Sequence, residues 1–290
     1  MRSITDILVN DEMKSGIYLN VPTDTHHARR RMNPSSLTTG VLSHKEIDPC
    51  SIKQAFEEGF EFAAATQDRM DRGTLTGIML TQPERLTKDV AIWTGGDRKG
   101  NAWKDFEVEN SKKLIVREKD FNTVSEACRQ FRFNKEVSEL LSDIDVEVEI
   151  LTKEGRIFCS GQVDIVKRGS LRKIVDLKTT DAGITEKSVE RTIRDICYRE
   201  KMAAYKKWYE RESGEEVVAC YNLFLKLTPP LAMRLVKFTT ASLDWGYGRI
   251  LAALQSVDEC LTKDNWPIYS MSDVCDVAQW ELDDEIEGAD

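Results

Sequence analysis

The amino-acid sequence predicts an α/β fold, a mixed β-sheet flanked by helices. Three observations carry this expectation. Residues 145–178 alternate apolar and polar side chains over three short runs separated by turn signals, the pattern of an antiparallel meander. A long helical pattern over 187–212 separates that meander from two further strand-like runs. Helical patterns also precede the meander and close the chain, so a sheet built from these strands has helices to cover it.

In chain order, the first sixty residues are polar and turn-rich and read as an irregular arm carrying a short strand. A helix follows Pro49 over residues 51–67, where Phe56, Phe60, Ala63 and Ala64 recur at helical spacing. Residues 72–80 continue or restart it before Pro83. Residues 94–103, TGGDRKGNAW, hold three glycines and read as an exposed loop. Residues 119–142 form an amphipathic helix with Phe121, Val124, Cys128 and Phe131 on one face. The strand at 145–151 sets Val146, Val148 and Ile150 against Glu147 and Glu149. It turns at Lys153-Glu154-Gly155 and returns over 156–166, and Gly169-Ser170 leads into 173–178. Beyond the long helix lie a strand at 217–227, a break at Pro229-Pro230 and a strand at 232–238. Leu251, Leu254, Val257 and Leu261 mark a closing helix over 241–261. The expected organisation is an arm over 1–50, one α/β domain over 51–280 and an acidic, disordered tail over 281–290.

Composition narrows the class. The chain has 290 residues, enough for a full core, and 41% of them are hydrophobic. No apolar run approaches the roughly 18 residues that cross a bilayer, and MRSITDILVNDEMK carries charges where a signal peptide has its apolar centre. The seven cysteines are scattered, odd in number and without a C-x-x-C pair. They read as reduced thiols of a cytoplasmic protein, which argues against a disulfide scaffold, a zinc knuckle or an iron–sulfur cluster. His26, His27 and His44 lack cysteine support for a zinc site. The formal charge is −9, yet the last ten residues, ELDDEIEGAD, hold six acids, leaving 41 bases against 44 acids in the rest. Bases cluster at Arg29-Arg30-Arg31, at Lys112-Lys113, and at Lys167-Arg168 and Arg172-Lys173 around the hairpin turn. These suit phosphate contacts or are ordinary solvated charge.

The chemistry concentrates in GQVDIVKRGSLRKIVDLKTT, residues 161–180. Asp164 lies on one strand, Asp176 and Lys178 on the next, and the last two share a face because residues two apart point the same way. Two carboxylates and an ammonium gathered on a hairpin are costly to desolvate, and folding alone gives no reason for them. A divalent cation and a phosphodiester do. Hard oxygens hold Mg²⁺, and the lysine can orient or deprotonate an attacking water.

With Gly161-x-x-Asp164 and Asp176-x-Lys178 together, the chain resembles the PD-(D/E)XK nuclease superfamily, whose core is restriction-endonuclease-like. Within it, the likeness is to the RecE-like exonucleases: exonuclease VIII, its phage relatives and, more distantly, lambda exonuclease. The resemblance implies that Asp164 and Asp176 bind the metal with the backbone carbonyl of Leu177, and that Lys178 serves the nucleophilic water. THHARRRMNPSSL at 25–37, RGTLTGIMLTQPERL at 72–86 and WKDF at 103–106 are similar to segments of the same family, so the likeness spans most of 17–260. Two positions depart from it. The family's first motif, a histidine or an acid, aligns on Gly77, and a glutamine four residues before a tyrosine is replaced in Lys201-x-x-x-Tyr205. Glu147 and Glu149 are candidates for the missing ligand, or simply an acidic solvated face. Tyr198, Lys201 and Tyr205 share one helical face and are candidate DNA contacts; the alternative is a surface lysine snorkelling beside two half-buried tyrosines. Arg29, Arg30 and Arg31 adjoin the family-like arm and are expected near the DNA path.

The resemblance implies a Mg²⁺-dependent double-strand DNA exonuclease, with Mn²⁺ able to substitute. It further implies 5′→3′ polarity, a 3′ single-stranded product for recombination, a ring-shaped homo-oligomer on DNA ends and a single-strand annealing protein as partner. Two alternatives stand beside it: a nuclease-fold DNA-binding protein whose catalysis is weakened or lost through Gly77, and an endonuclease of the same superfamily.

Overall fold

A computed structural model describes residues 8–9, 14–21, 25–26, 32–34 and 64–266. In chain order its elements are β1 (Gly16–Tyr18), α1 (Ala64–Thr81), α2 (Leu86–Asp89), β2 (Val90–Trp93), α3 (Gly100–Glu109), β3 (Leu114–Arg117), α4 (Glu118–Arg132), α5 (Lys135–Leu140), β4 (Ile144–Glu154), β5 (Ile157–Lys167), β6 (Arg172–Thr180), α6 (Glu186–Asp195), α7 (Tyr198–Ser213), β7 (Val217–Lys226), β8 (Ala232–Lys237) and α8 (Thr240–Lys263). Six strands form one mixed sheet in the order β1-β4-β5-β6-β7-β8. Every neighbouring pair is antiparallel except β6 with β7. A parallel pair cannot be closed by a tight turn, so α6 and α7 make the crossover between them.

Helices cover both faces of this sheet. On one face α6, α7 and α8 pack on Val148, Ile150, Val163, Ile174, Cys220 and Phe224. On the other, α1, α4 and α5 pack on Val146, Ile165, Val175, Leu223 and Leu225. α4 shows why such a helix forms and docks. Val124, Ala127, Cys128 and Phe131 are buried as a stripe, with acids in the first turn and arginines in the last, as the helix dipole favours.

The meander, β7 and β8 match their sequence expectations, and a short strand does lie in the arm. The closing helix lies where expected, but it buries Ile250, Leu254 and Val257 and leaves Leu251 exposed. Three further expectations change. The helix expected over 119–142 breaks after Arg132, because the Asn134 side chain accepts the Val137 N–H at 3.0 Å and caps a new helix. The helix expected over 187–212 breaks at Cys197, whose left-handed φ of 52° ends the α6 direction and starts α7 at Tyr198. Only part of 94–103 is a loop: α3 begins at Gly100, and β2 and β3 form a separate parallel pair. Trp103 and Phe106 of WKDF pack against Trp93 with ring centroids 5.3 and 5.1 Å away. Residues 51–63 of the helix expected after Pro49 lie outside the described residues, as do Arg29, Arg30, Arg31 and the acidic tail. From Ala64 the helix runs unbroken to Thr81. The five described cysteines are free and buried, and no described helix is long and apolar enough to cross a membrane.

One glycine controls how closely α7 approaches the sheet. A Cβ on Gly161 would lie 2.8 Å from Cε1 of Tyr205 and 3.5 Å from Cε3 of Trp208. Both rings belong to buried residues that cannot swing away. Gly161→Ala is therefore expected to destabilise the chain by about 1–3 kcal/mol through overpacking. Thermal denaturation reads this as a lowered Tm; an unchanged Tm would show that α7 shifts at no cost.

Candidate active site

The central feature is a fork in the sheet. β5 and β6 pair through Lys167↔Lys173, Val166↔Ile174 and Ile165↔Val175, and the ladder stops there. Beyond it the Asp164 carboxylate takes the place of a strand backbone, its Oδ2 accepting the Leu177 N–H at 2.7 Å. From Asp176 to Thr180, β6 pairs only with β7, while β5 continues alongside β4. In an extended strand the N–H and C=O of one residue point to the same side, so the Leu177 carbonyl edge faces the same fork as its N–H. On β4, opposite this point, Glu147 adopts a left-handed φ of 49°. The pleat reverses there, with Val146 facing one core and Val148 the other.

Asp176 lies beside the fork on the α7 face, only 1% exposed. Lys178 rests its ammonium on Asp176 Oδ2, and Lys201 Nζ stands 3.8 Å from Oδ1. Two aromatic rings hold the lysines: Lys178 Nζ lies 4.7 Å from the Tyr198 ring centroid, and Lys201 Nζ 5.4 Å from that of Tyr205. Two carboxylates and two ammonium groups thus balance formally. Burial and the neighbouring Asp176 carboxylate push Asp164 up to about 6. Burial acts on Asp176 in the same direction, but Lys178 and Lys201 outweigh it and hold this carboxyl below its usual range. For Lys201, burial works to lower the pKa, and Asp176 and Asp164 overcome it and raise it.

The oxygen donors present, two carboxylates and a facing carbonyl, suit a hard divalent cation. Among the described residues no third histidine, cysteine, aspartate or glutamate joins them. Glu149 is fully buried and engages His26 Nδ1 through Oε1 at 2.8 Å, and Glu147 binds Arg85 at 2.8 Å. Each glutamate thus has a partner of its own away from the aspartates. Gly77 lies on the helix that runs beside the end of β6, where a Cβ on Gly73 would stand 3.4 Å from Thr179 Oγ1. A Cβ on Gly77 would meet no described atom within 4 Å, so the family's first-motif position is open space in this chain.

Of the residues expected at DNA, Tyr198 and Lys201 keep part of their surface, whereas Tyr205 is 3% exposed with its ring against Gly161. Three of the four basic residues at the hairpin turn are occupied elsewhere. Arg168 pairs with Asp145, Arg172 with Glu215, and Lys167 Nζ donates to the Glu139 and Ser142 carbonyls. They sit at the closed end of the β5–β6 ladder, away from the fork.

Asn222 escaped the sequence reading. It is the β7 register partner of Asp176, it is fully buried, and neither Oδ1 nor Nδ2 has a hydrogen-bond partner among the described residues. An unmet buried polar group costs about 1–3 kcal/mol. The available signal was a lone amide inside the apolar run VVACYNLFL.

The charge at Asp164 sets a pH dependence. Its pKa in the folded, metal-free chain exceeds the unfolded value, so it contributes stability below about pH 4 that is lost as pH rises through about 6. Asp164→Asn removes the charge, and its Oδ1 can still accept the Leu177 N–H. In EDTA the variant is expected to melt higher than the wild type at pH 8, with the gain shrinking toward pH 4. A constant difference across that range would show that Asp164 is not the titrating group.

Comparison with known proteins agrees with this fold. No curated protein matches the chain. A crystal structure from Eubacterium rectale, provisionally assigned as an exonuclease, superposes with a TM-score of 0.62 at 11% identity, over 91% of this chain and 98% of that one, which establishes a common fold. A phage-related exonuclease from Haemophilus somnus aligns at 13% identity over 81% of this chain and 96% of that one. Its TM-score of 0.35 carries no argument. The family described as "PDDEXK-like domain of unknown function (DUF3799)" matches residues 23–280. With Asp164, Asp176 and Lys178 in the fork of its sheet, the chain belongs to this PDDEXK-like family.

Proposed function

We propose that the chain is a divalent-metal-dependent double-strand DNA exonuclease. The observation that carries this reading is the meeting of Asp164, Asp176, Lys178 and the Leu177 carbonyl edge at one fork. The cluster is not a stabilising one, since burial raises the pKa of Asp164 and so penalises its charged form. Chemistry supplies the reason for it that folding does not. Asp164, Asp176 and the Leu177 carbonyl would hold the cation, Mg²⁺ or Mn²⁺ in its place. When bound, it would supply Lewis acidity toward the scissile phosphate. Lys178, steadied over the Tyr198 ring, would orient the attacking water and, as an ammonium, stabilise the negative charge that builds on the phosphate. Tyr198 and Lys201 would meet the DNA backbone, and Tyr205 would set the height of α7 above the sheet. Arg29, Arg30 and Arg31 would serve the 5′-phosphate end.

Attack from a 5′ end, a 3′ single-stranded product, a ring of like chains and an annealing partner complete the proposal. A ring would let a net-acidic chain hold DNA, because a positive channel can coexist with acidic outer surfaces. Two observations favour the second reading, DNA binding with weakened catalysis: the open position at Gly77 and the charge balance of the cluster without metal.

Incubation of linear and circular duplexes with Mg²⁺ separates the readings. The proposal expects loss of the linear form alone. Loss of both would indicate an endonuclease, and retention of both alongside DNA binding would indicate lost catalysis. Lys178→Ala is expected to lower the turnover rate by about 10²–10⁴-fold, with a far smaller change in DNA affinity measured in Ca²⁺. Equal losses in rate and affinity would reduce Lys178 to a phosphate contact.

A further inference from the structure

The idle amide of Asn222 and the unusual Lys201 meet at the same carboxylate. β6 and β7 run parallel in register, so side chains of paired residues share a face: Ile174 with Cys220, Asp176 with Asn222, Lys178 with Phe224. Helix α7 roofs these rows. Tyr198 covers the last row, its ring 6.2 Å from that of Phe224 and near Lys178 Nζ. Lys201 follows one helical turn later and reaches Asp176, so it stands over the row of Asp176 and Asn222.

We propose that Asn222 is a positioning residue of the metal-loaded site, donating from Nδ2 to Asp176 and accepting Lys201 at Oδ1 once Asp176 ligates a cation. The inference rests on reading Asp176 as a metal ligand. In the metal-free chain both Asp176 oxygens face ammonium groups, and Asn222 has no partner among the described residues at either end. That state leaves a fully buried amide unsatisfied, which native interiors rarely tolerate without a reason. A carboxylate oxygen that binds a divalent cation cannot keep an ammonium beside it, since like charges repel strongly at such range. Lys178 has an outlet toward the fork and the attacking water. Both side chains are largely buried, 15% exposed for Lys178 and 18% for Lys201, but Lys201 reaches in from α7 and needs a neutral acceptor nearby. The amide of Asn222 supplies that acceptor, and its two N–H donors can hold the Asp176 oxygen turned away from the cation. Residues that orient a metal ligand in this way strengthen binding without touching the metal. Leucine or valine, which the surrounding apolar run would place here, could do neither.

Calorimetric titration of the full chain with Mn²⁺, without DNA, tests the proposal, together with melting in EDTA. Asn222→Leu is expected to weaken Mn²⁺ binding by about 10–100-fold. Its melting temperature in EDTA should rise by a few degrees, because the unmet amide is gone. Adding Lys201→Met to Asn222→Leu should recover most of the lost affinity, since no ammonium is then stranded on Asp176. If leucine does not fold, Asn222→Val is smaller, suits a strand and carries the same expectations. Wild-type affinity in Asn222→Leu, or a loss that Lys201→Met leaves unrelieved, would overturn the inference. A lowered melting temperature with unchanged affinity would do the same, marking Asn222 as a structural polar residue. A wild-type chain that binds no Mn²⁺ removes the metal reading itself, whereas equal binding by wild type and Asn222→Leu removes only this inference.

Discussion

The hydrogen bond from the Leu177 N–H to Asp164 Oδ2 is the constraint on which the site depends. A side-chain carboxylate stands where a strand backbone would otherwise be, so β5 and β6 part after Ile165↔Val175. The parting turns one edge of β6 toward a fork and leaves the other edge paired with β7. Because that pair is parallel, its crossover must pass over the sheet, and this brings Tyr198, Lys201 and Tyr205 above the same rows. One local substitution of side chain for main chain thus makes the opening, orients the Leu177 carbonyl and aligns the roof.

Charge is tolerated there because it is internally balanced. Desolvating a carboxylate alone is expensive, and paired opposite charges recover only part of that cost. Here the division is uneven. Asp176 is held below its usual range by two lysines, while Asp164, whose Oδ2 accepts the Leu177 N–H, is pushed up. Two acids whose surroundings drive them apart are typical of a working site and not of a core built for stability. Asn222 adds to the same imbalance. The rest of the sheet is conventional by comparison, with near-continuous apolar packing on both faces. The local conflicts gather where function is expected, and the surrounding layers compensate.

Much of the architecture was legible because it follows from period and punctuation. Alternation over 145–178, with turn residues at Gly155 and Gly169, determined the meander, and the apolar stripe of α4 determined its buried face. The breaks were less legible. Asn134 and Cys197 sit within patterns whose apolar period continues across them, so the caps that split these helices lie in single side-chain or backbone choices. The parallel pair β2–β3 was missed because four-residue strands are too short to show a period.

The candidate site divides in the same way. The sequence alone determined that Asp176 and Lys178 share a face, since that is a property of any strand, and the spacing of Gly161, Asp164, Asp176 and Lys178 pointed to the family. Only the tertiary structure decided that Gly161 is a glycine because the Tyr205 ring lies on it, and that Glu149 serves His26. It likewise brought Lys201, from a helix over twenty residues away, and Asn222, from a neighbouring strand, to the same carboxylate. Spacing within a strand or helix fixes which side chains share a face. Contacts between elements depend on register and crossing geometry, and no local pattern encodes these.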